Sequence, residues 1–393
     1  MAANDAFRSI DELELAHQRV LIRVDFDVPL DENGQVANDR KLRAALPTLF
    51  KALKDGARVV LATHLGAEGD PTPSLVPVAE RLAELLGQEV YLPDECVGDA
   101  ARKVVSDLRE GQLCLLENLR FESGETQNDE SFARKLLGLC DVYVGEAFGC
   151  AHLTQASLVT LPRLAKERAI GYRFKAELAN LSRVTQGTQK PFVGILGGAK
   201  LSKAQPMLEA MMSRCSCILV GGGVASTLLA ARGVDMKDSA VEKDQLALAR
   251  NVLTRARNYN IDLVLPVDVM VGRDARASEA QGVSVGSIPD GSGAFDIGPR
   301  TLDAYRARLG DAKLALWRGA LGVCENPVFA GGTHGLQHAL AEAAAFGIVT
   351  GDSVSDATTS ELESKIGFVS TGGVASLVFI EGKKLPGASA LSG

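Results

Sequence analysis

The chain has 393 residues, 46% hydrophobic and 23% charged, too long for one comfortable core, so two globular domains are expected. Its net charge of −7 and pI near 5.4 exclude an indiscriminate nucleic-acid or membrane binder and leave room only for a focused anion site. Seven cysteines, at positions 96, 114, 140, 150, 215, 217 and 324, are odd in number and fall mostly in apolar runs, as reduced core residues do. Cys215 and Cys217 have no His or Cys set near them at zinc spacing.

The chain begins MAANDAFRSIDELELAHQ, with acidic residues ahead of any apolar run, which is not a secretory signal. No apolar run approaches the roughly 18 residues of a membrane span, so a cytoplasmic protein is expected. Short β-rich runs follow at 20–24, 58–64, 112–118 and 142–148, and a second set at 192–196, 217–223, 262–269, 314–317 and 346–350. Amphipathic stretches such as 74–86 and 244–258 lie between them. Strand and helix alternating in this way predict parallel sheets covered on both faces. The expected fold is therefore α/β, with two doubly wound, Rossmann-like parallel-sheet domains over 1–173 and 191–379. Residues 174–190, FKAELANLSRVTQGTQK, have apolar residues at helical spacing before a polar exit, and predict a helix joining the two.

Ligands of open parallel sheets sit beyond the carboxyl ends of the strands, so the residues just after each run are the ones to inspect. Phe192 to Gln205 reads FVGILGGAKLSKAQ: a buried strand, then small residues that let backbone N–H groups approach an anion, then a lysine. This is not the Walker spacing, and alone it serves a tight turn as well as a phosphate loop. The other strand ends carry Arg23-Val-Asp25-Phe-Asp27, His64-Leu-Gly66, Glu117-Asn118-Leu-Arg120, Gly145-Glu146-Ala-Phe148, Gly221-Gly222-Gly223, Asp296-Ile-Gly298-Pro299 and Ser370-Thr371-Gly372-Gly373. In order and spacing, through the terminal EGKKLPG at 381–387, the series closely resembles phosphoglycerate kinase from end to end.

The resemblance implies a bilobal hinge enzyme, a monomer, whose domain closure brings two anions together for in-line phosphoryl transfer. The N-terminal domain would hold 3-phosphoglycerate, the C-terminal domain MgATP or MgADP, and residues 380–393 would fold back onto the first. Its partners would be a small phosphorylated acid and a nucleotide, with no nucleic acid and no membrane. The substrate residues carried over are Arg23, Asp25, Asp27, Lys41, His64 and Arg120. The nucleotide residues are Gly198, Ala199, Lys200, Gly222, Gly322, Val323, Glu325 and Asp352, with Asp352 also the magnesium ligand. Lys200, Arg23 and Lys41 would be catalytic.

Departures from the family pattern cluster at both sites. HLGR is here HLGA, ending in Ala67, and AHRAH is AHLTQ, with Leu153 and Gln155. The arginine of the TRIR-like segment is Lys41, which keeps charge without the planar fork, with Arg40 beside it. The Asn of DFN is Asp27, adding negative charge near an anionic substrate, and NDAF has become Gly145-Glu146-Ala147-Phe148. A second lysine of the nucleotide loop is Ala204, with Lys203 turned about 100° away on a helix. WNGPM reads Trp317-Arg318-Gly319-Ala320-Leu321, and in the GWMGLD segment Ala294 and Phe295 fill space beside the adenine. GGGDT appears as Thr350-Gly351-Asp352-Ser353, a residue short, and Val374 replaces a glycine of STGGGAS, where a positive φ would be strained.

A hydrogen bond to a charged group contributes about 1.5–3 kcal/mol and roughly 1.4 kcal/mol is tenfold in rate, so these losses together predict weak or lost turnover and weakened MgATP binding. In a chain without turnover the fold would serve a ligand, regulatory or protein partner. Two alternatives stay open: a fully active kinase in which Arg40, Lys203 and Arg318 restore charge, and a phosphotransferase for a smaller acid that lacks the distal phosphate.

Overall fold

The structure is a computed structural model that describes residues 7–66 and 73–392. Ala67, one of the positions where an arginine is replaced, lies outside the described residues. The chain divides into two compact units: residues 1–179 with 374–379 and 383–393, and residues 180–373 with 380–382.

The first unit is built on β1 (Arg19–Arg23), β2 (Arg58–Ala62), β3 (Val90–Tyr91), β4 (Leu113–Leu115), β5 (Val142–Gly145) and β6 (Glu167–Ile170), all parallel, in the order β3-β4-β2-β1-β5-β6. The central strands are buried along almost their whole length, because helices such as Arg40–Lys54 and Val76–Leu86 cover the sheet. Val20, Ile22 and Leu61 from the sheet meet Leu42, Leu49 and Leu82 from these helices in one core. Two strands lack an apolar run in the sequence. β3 is a two-residue, half-buried edge, and β6 starts with the exposed Glu167 and half-buried Arg168, as edge strands do.

The second unit contains β7 (Phe192–Leu196), β8 (Cys217–Val220), β9 (Asp262–Val264), β10 (Asp268–Gly272), β11 (Gln281–Ser284), β12 (Gly293–Ile297), β13 (Leu314–Arg318), β14 (Phe346–Thr350) and β15 (Gly367–Val369). Six of them form a parallel sheet in the order β15-β14-β13-β7-β8-β9. The run 262–269 is not a single strand. It breaks at Leu265-Pro266-Val267 into β9, an edge of the parallel sheet, and β10, the centre of a separate antiparallel sheet β11-β10-β12. Pro266 has no N–H to give a ladder, so the apolar run continues through the point where the ladder cannot. Among the described residues no helix is long and apolar enough to cross a membrane.

In the first unit the chain's last helix, Pro386–Leu391, lies against the end of β5. Gly387 donates its N–H to the Ala151 carbonyl at 2.9 Å, and a Cβ on Gly145 would stand 2.5 Å from a Leu391 methyl carbon. The helix Tyr172–Gln186 starts on the same side, and its first amides are satisfied by side chains. Tyr172 N–H donates to Thr48 Oγ1 at 2.8 Å, while Glu146 accepts from the backbone of Arg173 and Phe174 at 3.0 and 3.2 Å and from the Thr48 hydroxyl at 2.6 Å. Glu146, a departure from the NDAF pattern, is therefore a buried cap of this helix.

Burial pushes the Glu146 carboxyl up to about 7 against these three hydrogen bonds. A carboxyl raised above its unfolded value holds its proton more tightly in the fold, so its contribution to stability is full below about pH 4.3, the unfolded value, and is lost as pH rises through about 7. Glu146→Gln, fixed in the neutral form, is expected to gain more than about 1.4 kcal/mol relative to the native chain between pH 5 and pH 8, the equivalent of one pKa unit. Urea unfolding of both proteins at the two pH values measures this, and an unchanged difference contradicts the assignment.

Candidate active site

In the first unit the strand order reverses between β1 and β5, and the loops leaving them diverge there. Arg23 ends β1 at this point with no exposed surface. Its Nε donates to Ser157 Oγ at 2.8 Å, one terminal nitrogen to the Val24 carbonyl, and the other to His64 Nδ1 at 2.9 Å. Ser157 in turn donates its hydroxyl to Glu125 Oε1 at 2.5 Å and its backbone N–H to Oε2 at 2.9 Å. Since Arg23 is a donor only, Nδ1 of His64 is the acceptor and the ring proton sits on Nε2. Burial first, then the neighbouring Arg23, push His64 down to about 3, so its imidazole is neutral.

Lys41, the second residue of the helix Arg40–Lys54, places its ammonium 3.1 Å from Asp25 Oδ1. Burial opposes ionisation of Asp25, but Lys41 above all brings its carboxyl below the usual range, and Asp25 raises Lys41 in return despite burial. Asp27 accepts the Gly66 N–H at 3.0 Å, and burial raises its pKa. Arg120 lies in the single turn Leu119–Phe121, whose start is fixed by Asn118. The Asn118 amide also donates to the carbonyls of Leu65 and Pro73, both at 2.9 Å, tying the loop after β2 to the loop after β4. The Arg120 side chain makes no hydrogen bond or ion pair among the described residues, and its Nε is enclosed without a partner. Leu153 packs on the apolar cluster of Ala147, Cys150, Leu158, Val159 and Ala390, and Gln155 is buried with Oε1 unpartnered.

The structure thus brings Arg23, Asp25, Asp27, Lys41, His64 and Arg120 together at one end of the sheet, where Lys41 is paired with Asp25, His64 is neutral and Arg23 is bonded inside the protein. Sequence reading missed Ser157, which accepts from Arg23, and Glu125, which accepts from Ser157, residues far from Arg23 in the chain. No local pattern marks a Glu in the segment SGET as a buried acid behind a strand-end arginine.

In the second unit the order reverses between β7 and β13, and the loops after β7, β8 and β13 touch backbone to backbone. Gly198 N–H donates to the Ala320 carbonyl at 2.8 Å and Gly222 N–H to the Leu321 carbonyl at 2.9 Å. A Cβ on Gly197 would lie 2.0 Å from the Ala320 oxygen, and one on Gly223 would lie 2.1 Å from the Ala199 oxygen, so only glycine permits this closeness. Gly198 has φ of 106° and open space on its free side, beside the exposed Ala199 and Lys200. Lys200 caps the helix Leu201–Met212, and its ammonium makes no hydrogen bond among the described residues. Glu242 holds the first turn of that helix through Ser202, accepting from its N–H at 2.9 Å and its hydroxyl at 2.6 Å. Ala204 is buried one position beyond the exposed Lys203.

Gly322 is pressed against Asp296, where a Cβ would meet Oδ1 at 2.4 Å. Asp296 accepts from Gly332 N–H at 2.6 Å and Ile297 N–H at 2.8 Å, and burial pushes its carboxyl up to about 7. Val323 donates to the Phe295 carbonyl at 3.0 Å, while Glu325 is exposed in the following turn. The Phe295 ring rests 5.1 Å from Phe329 and borders a crevice with Gly222, Leu229, Pro266 and Leu321 whose volume is about 20 Å³, against the roughly 300–1,000 Å³ of ordinary ligand pockets. Asp352 opens the short helix Asp352–Asp356 after Gly351 and is exposed. Among the described residues no cluster of three or more His, Cys, Asp or Glu could hold a metal ion. A lone carboxylate fits magnesium that arrives with phosphate oxygens as its other ligands. Val374 needs no strained conformation: Gly373 takes φ of 47° and Val374 continues as helix Gly373–Ile380.

The chain as a whole resembles proteins already known. The phosphoglycerate kinase family model matches residues 10–383. A phosphoglycerate kinase of Anaeromyxobacter sp. (strain Fw109-5) is 46% identical over 395 residues, covering 99% of this chain and all of that protein. One of Nostoc sp. is 40% identical over 390 residues, covering 98% of each. The solved phosphoglycerate kinases of Coxiella burnetii and Pyrococcus horikoshii OT3 superpose with TM-scores of 0.83 and 0.87 at 35% and 29% identity, each match covering 98% of both chains. With identity of this order running from end to end, and the same two-sheet architecture beneath it, the chain belongs to the phosphoglycerate kinase family.

Proposed function

We propose that the chain transfers the terminal phosphoryl group of ATP to the carboxylate of 3-phosphoglycerate, giving ADP and 1,3-bisphosphoglycerate, at a rate well below that of its relatives. In this step a carboxylate oxygen forms the new bond to phosphorus as the bond to the ADP oxygen breaks. Both reactants are anions and charge spreads over the moving phosphoryl oxygens, so catalysis depends on fixed cations and donors. The observation that carries the reading is that two cations of the acid site are engaged inside the protein: Arg23 is wholly buried and bonded to Ser157 and His64, and Lys41 is held on Asp25.

On this reading Arg120 and the Nε2–H of His64 bind the acid, and Arg23 acts through His64 by fixing its ring and tautomer. Lys41 reaches the reacting carboxylate only by sharing its charge with Asp25. Lys200, with the open backbone at Gly198 and Ala199, takes the nucleotide phosphates. Gly222, Gly322 and Val323 shape the nucleoside crevice, and Glu325 offers a carboxylate to the ribose. Asp352 holds magnesium, which when bound draws charge from the phosphate oxygens.

Relative to the 46% identical Anaeromyxobacter protein as control, kcat/KM for 3-phosphoglycerate with MgATP is expected to fall at least about a thousandfold, the size of two lost charged hydrogen bonds. A coupled assay measures it, and comparable rates overturn the slow reading while leaving the reaction. A smaller acid without the distal phosphate, accepted in preference to 3-phosphoglycerate, would instead follow from the loss of the two family arginines, one of them replaced by Leu153, which packs on an apolar cluster.

Arg120 is expected to be the main open donor of the acid site. Phosphate or 3-phosphoglycerate at a hundred times its Kd adds about 2.7 kcal/mol and raises Tm by a few degrees. Arg120→Ala should remove most of that rise and leave the ligand-free Tm nearly unchanged, since its side chain bonds to nothing in the described fold. A large loss of Tm without ligand shows that Arg120 is structural.

A further inference from the structure

Arg318 stands at the second unit's switch point, the last residue of β13, paired in register with Leu196 of β7 on one side and Thr350 of β14 on the other. Each of these neighbours leads into a loop of the nucleotide site. Gly197, the first residue of the Gly197–Lys200 loop, donates its N–H to the Arg318 carbonyl at 2.9 Å. Gly351, ahead of Asp352, has φ of 88° and passes so close that a Cβ there would lie 3.4 Å from Arg318 Cγ and 3.8 Å from Cζ and Nη1. The guanidinium then reaches the third loop, after β15, where Nη1 donates to the Gly373 carbonyl at 3.3 Å.

The side chain is half-buried, yet no carboxylate pairs with it at ion-pair distance among the described residues, and the Gly373 carbonyl is the one acceptor it meets. A guanidinium carries five N–H donors, so four are left without a protein acceptor in a partly desolvated place. A buried charge is costly until it is paired, and a structural arginine in such a position would normally be matched by an acid. Arg23 of the first unit shows the contrast, with each of its three guanidinium nitrogens bonded to a protein group. Burial lowers the Arg318 pKa, and Asp352 is the acid that acts on it through space, which places the cation on the metal side of the phosphate site.

We propose that Arg318 is a phosphate-binding residue of the nucleotide site, its free donors taking oxygens of the nucleoside diphosphate moiety and supplying the positive charge that Ala204 does not. The inference rests on the reading that the second unit holds the nucleotide. It makes this site bind the diphosphate group with a fixed organic cation beside the magnesium carboxylate, so part of its affinity for ADP is independent of metal.

Calorimetric titration with ADP, in magnesium and in EDTA, and with adenosine, compares the native chain with Arg318→Met and Arg318→Lys. The Met variant keeps the stem that packs on Gly351 and removes the charge, which guards against misfolding, and Tm of each variant is measured alongside. Arg318→Met is expected to weaken ADP about tenfold or more in both buffers and leave adenosine unchanged, from the usual strength of a charged hydrogen bond. Arg318→Lys is expected to recover part of the loss, having charge without the fork. Unchanged ADP affinity in Arg318→Met overturns the proposal alone, as does an equal loss for adenosine. A native chain that binds no ADP in magnesium overturns the nucleotide reading and this inference with it.

Discussion

The desolvation of positive charge at the ends of parallel strands is the constraint on which both sites depend. A doubly wound sheet opens a crevice where its strand order reverses, and an anion site must put cations there, next to a core that excludes water. Each unit meets the difficulty differently. In the first, Arg23 is enclosed and held by Ser157, the Val24 carbonyl and His64, with Glu125 behind Ser157, and Lys41 is set on Asp25. In the second, Lys200 stays exposed on its helix cap, and Arg318 remains half-buried with one backbone acceptor.

Neutralisation within the first unit has a consequence for its electrostatics that counting charges in the sequence misses. Arg23, Lys41, His64 and Arg120 read together suggest a strongly cationic patch. The folded site holds a neutral His64, a Lys41 matched by Asp25, and an Asp27 whose burial favours the protonated form. Among the expected substrate residues, Arg120 is the cation whose side chain meets no protein acceptor in the described fold. The same apparent charge thus gives a much weaker field at the cleft than an equal number of unpaired cations would.

What could be read from the sequence follows from how locally each feature is encoded. Strands β1, β2, β7, β8, β13 and β14 are apolar runs because both faces are covered, and their carboxyl ends locate the sites without further information. β3, β6 and β15 escape notice as short edges, and β10 to β12 because their antiparallel sheet exposes a face and breaks the apolar pattern. The glycines of the loops after β7 and β8 were legible as a demand for close backbone approach, though not the partner loop, Gly319 to Leu321, that imposes it. Glu146 and Glu125 were illegible as buried acids, since what they meet lies some 27 and 32 residues or more away in the chain. Charge type is local in a sequence; charge pairing is not.

The relatives sharpen the same distinction. Solved family members at 29% and 35% identity keep the fold with TM-scores of 0.87 and 0.83, so backbone architecture survives wide change in side chains. Within this chain the backbone of the proposed nucleotide site is rigidly specified, because Gly197, Gly222 and Gly223 have other loops within the reach of a single added carbon. Side-chain charge at the same place is under no such geometric demand: Ala204 packs into the helix, and Arg318 adds a cation from a neighbouring strand without moving the strand register. On the proposed reading, a phosphate loop of this construction changes the origin of its positive charge while its backbone donors stay fixed, provided that the new cation leaves a strand whose end already borders the loop. β13 meets that condition, because it is the neighbour of β7 across the switch point and its last carbonyl accepts the first N–H of the loop.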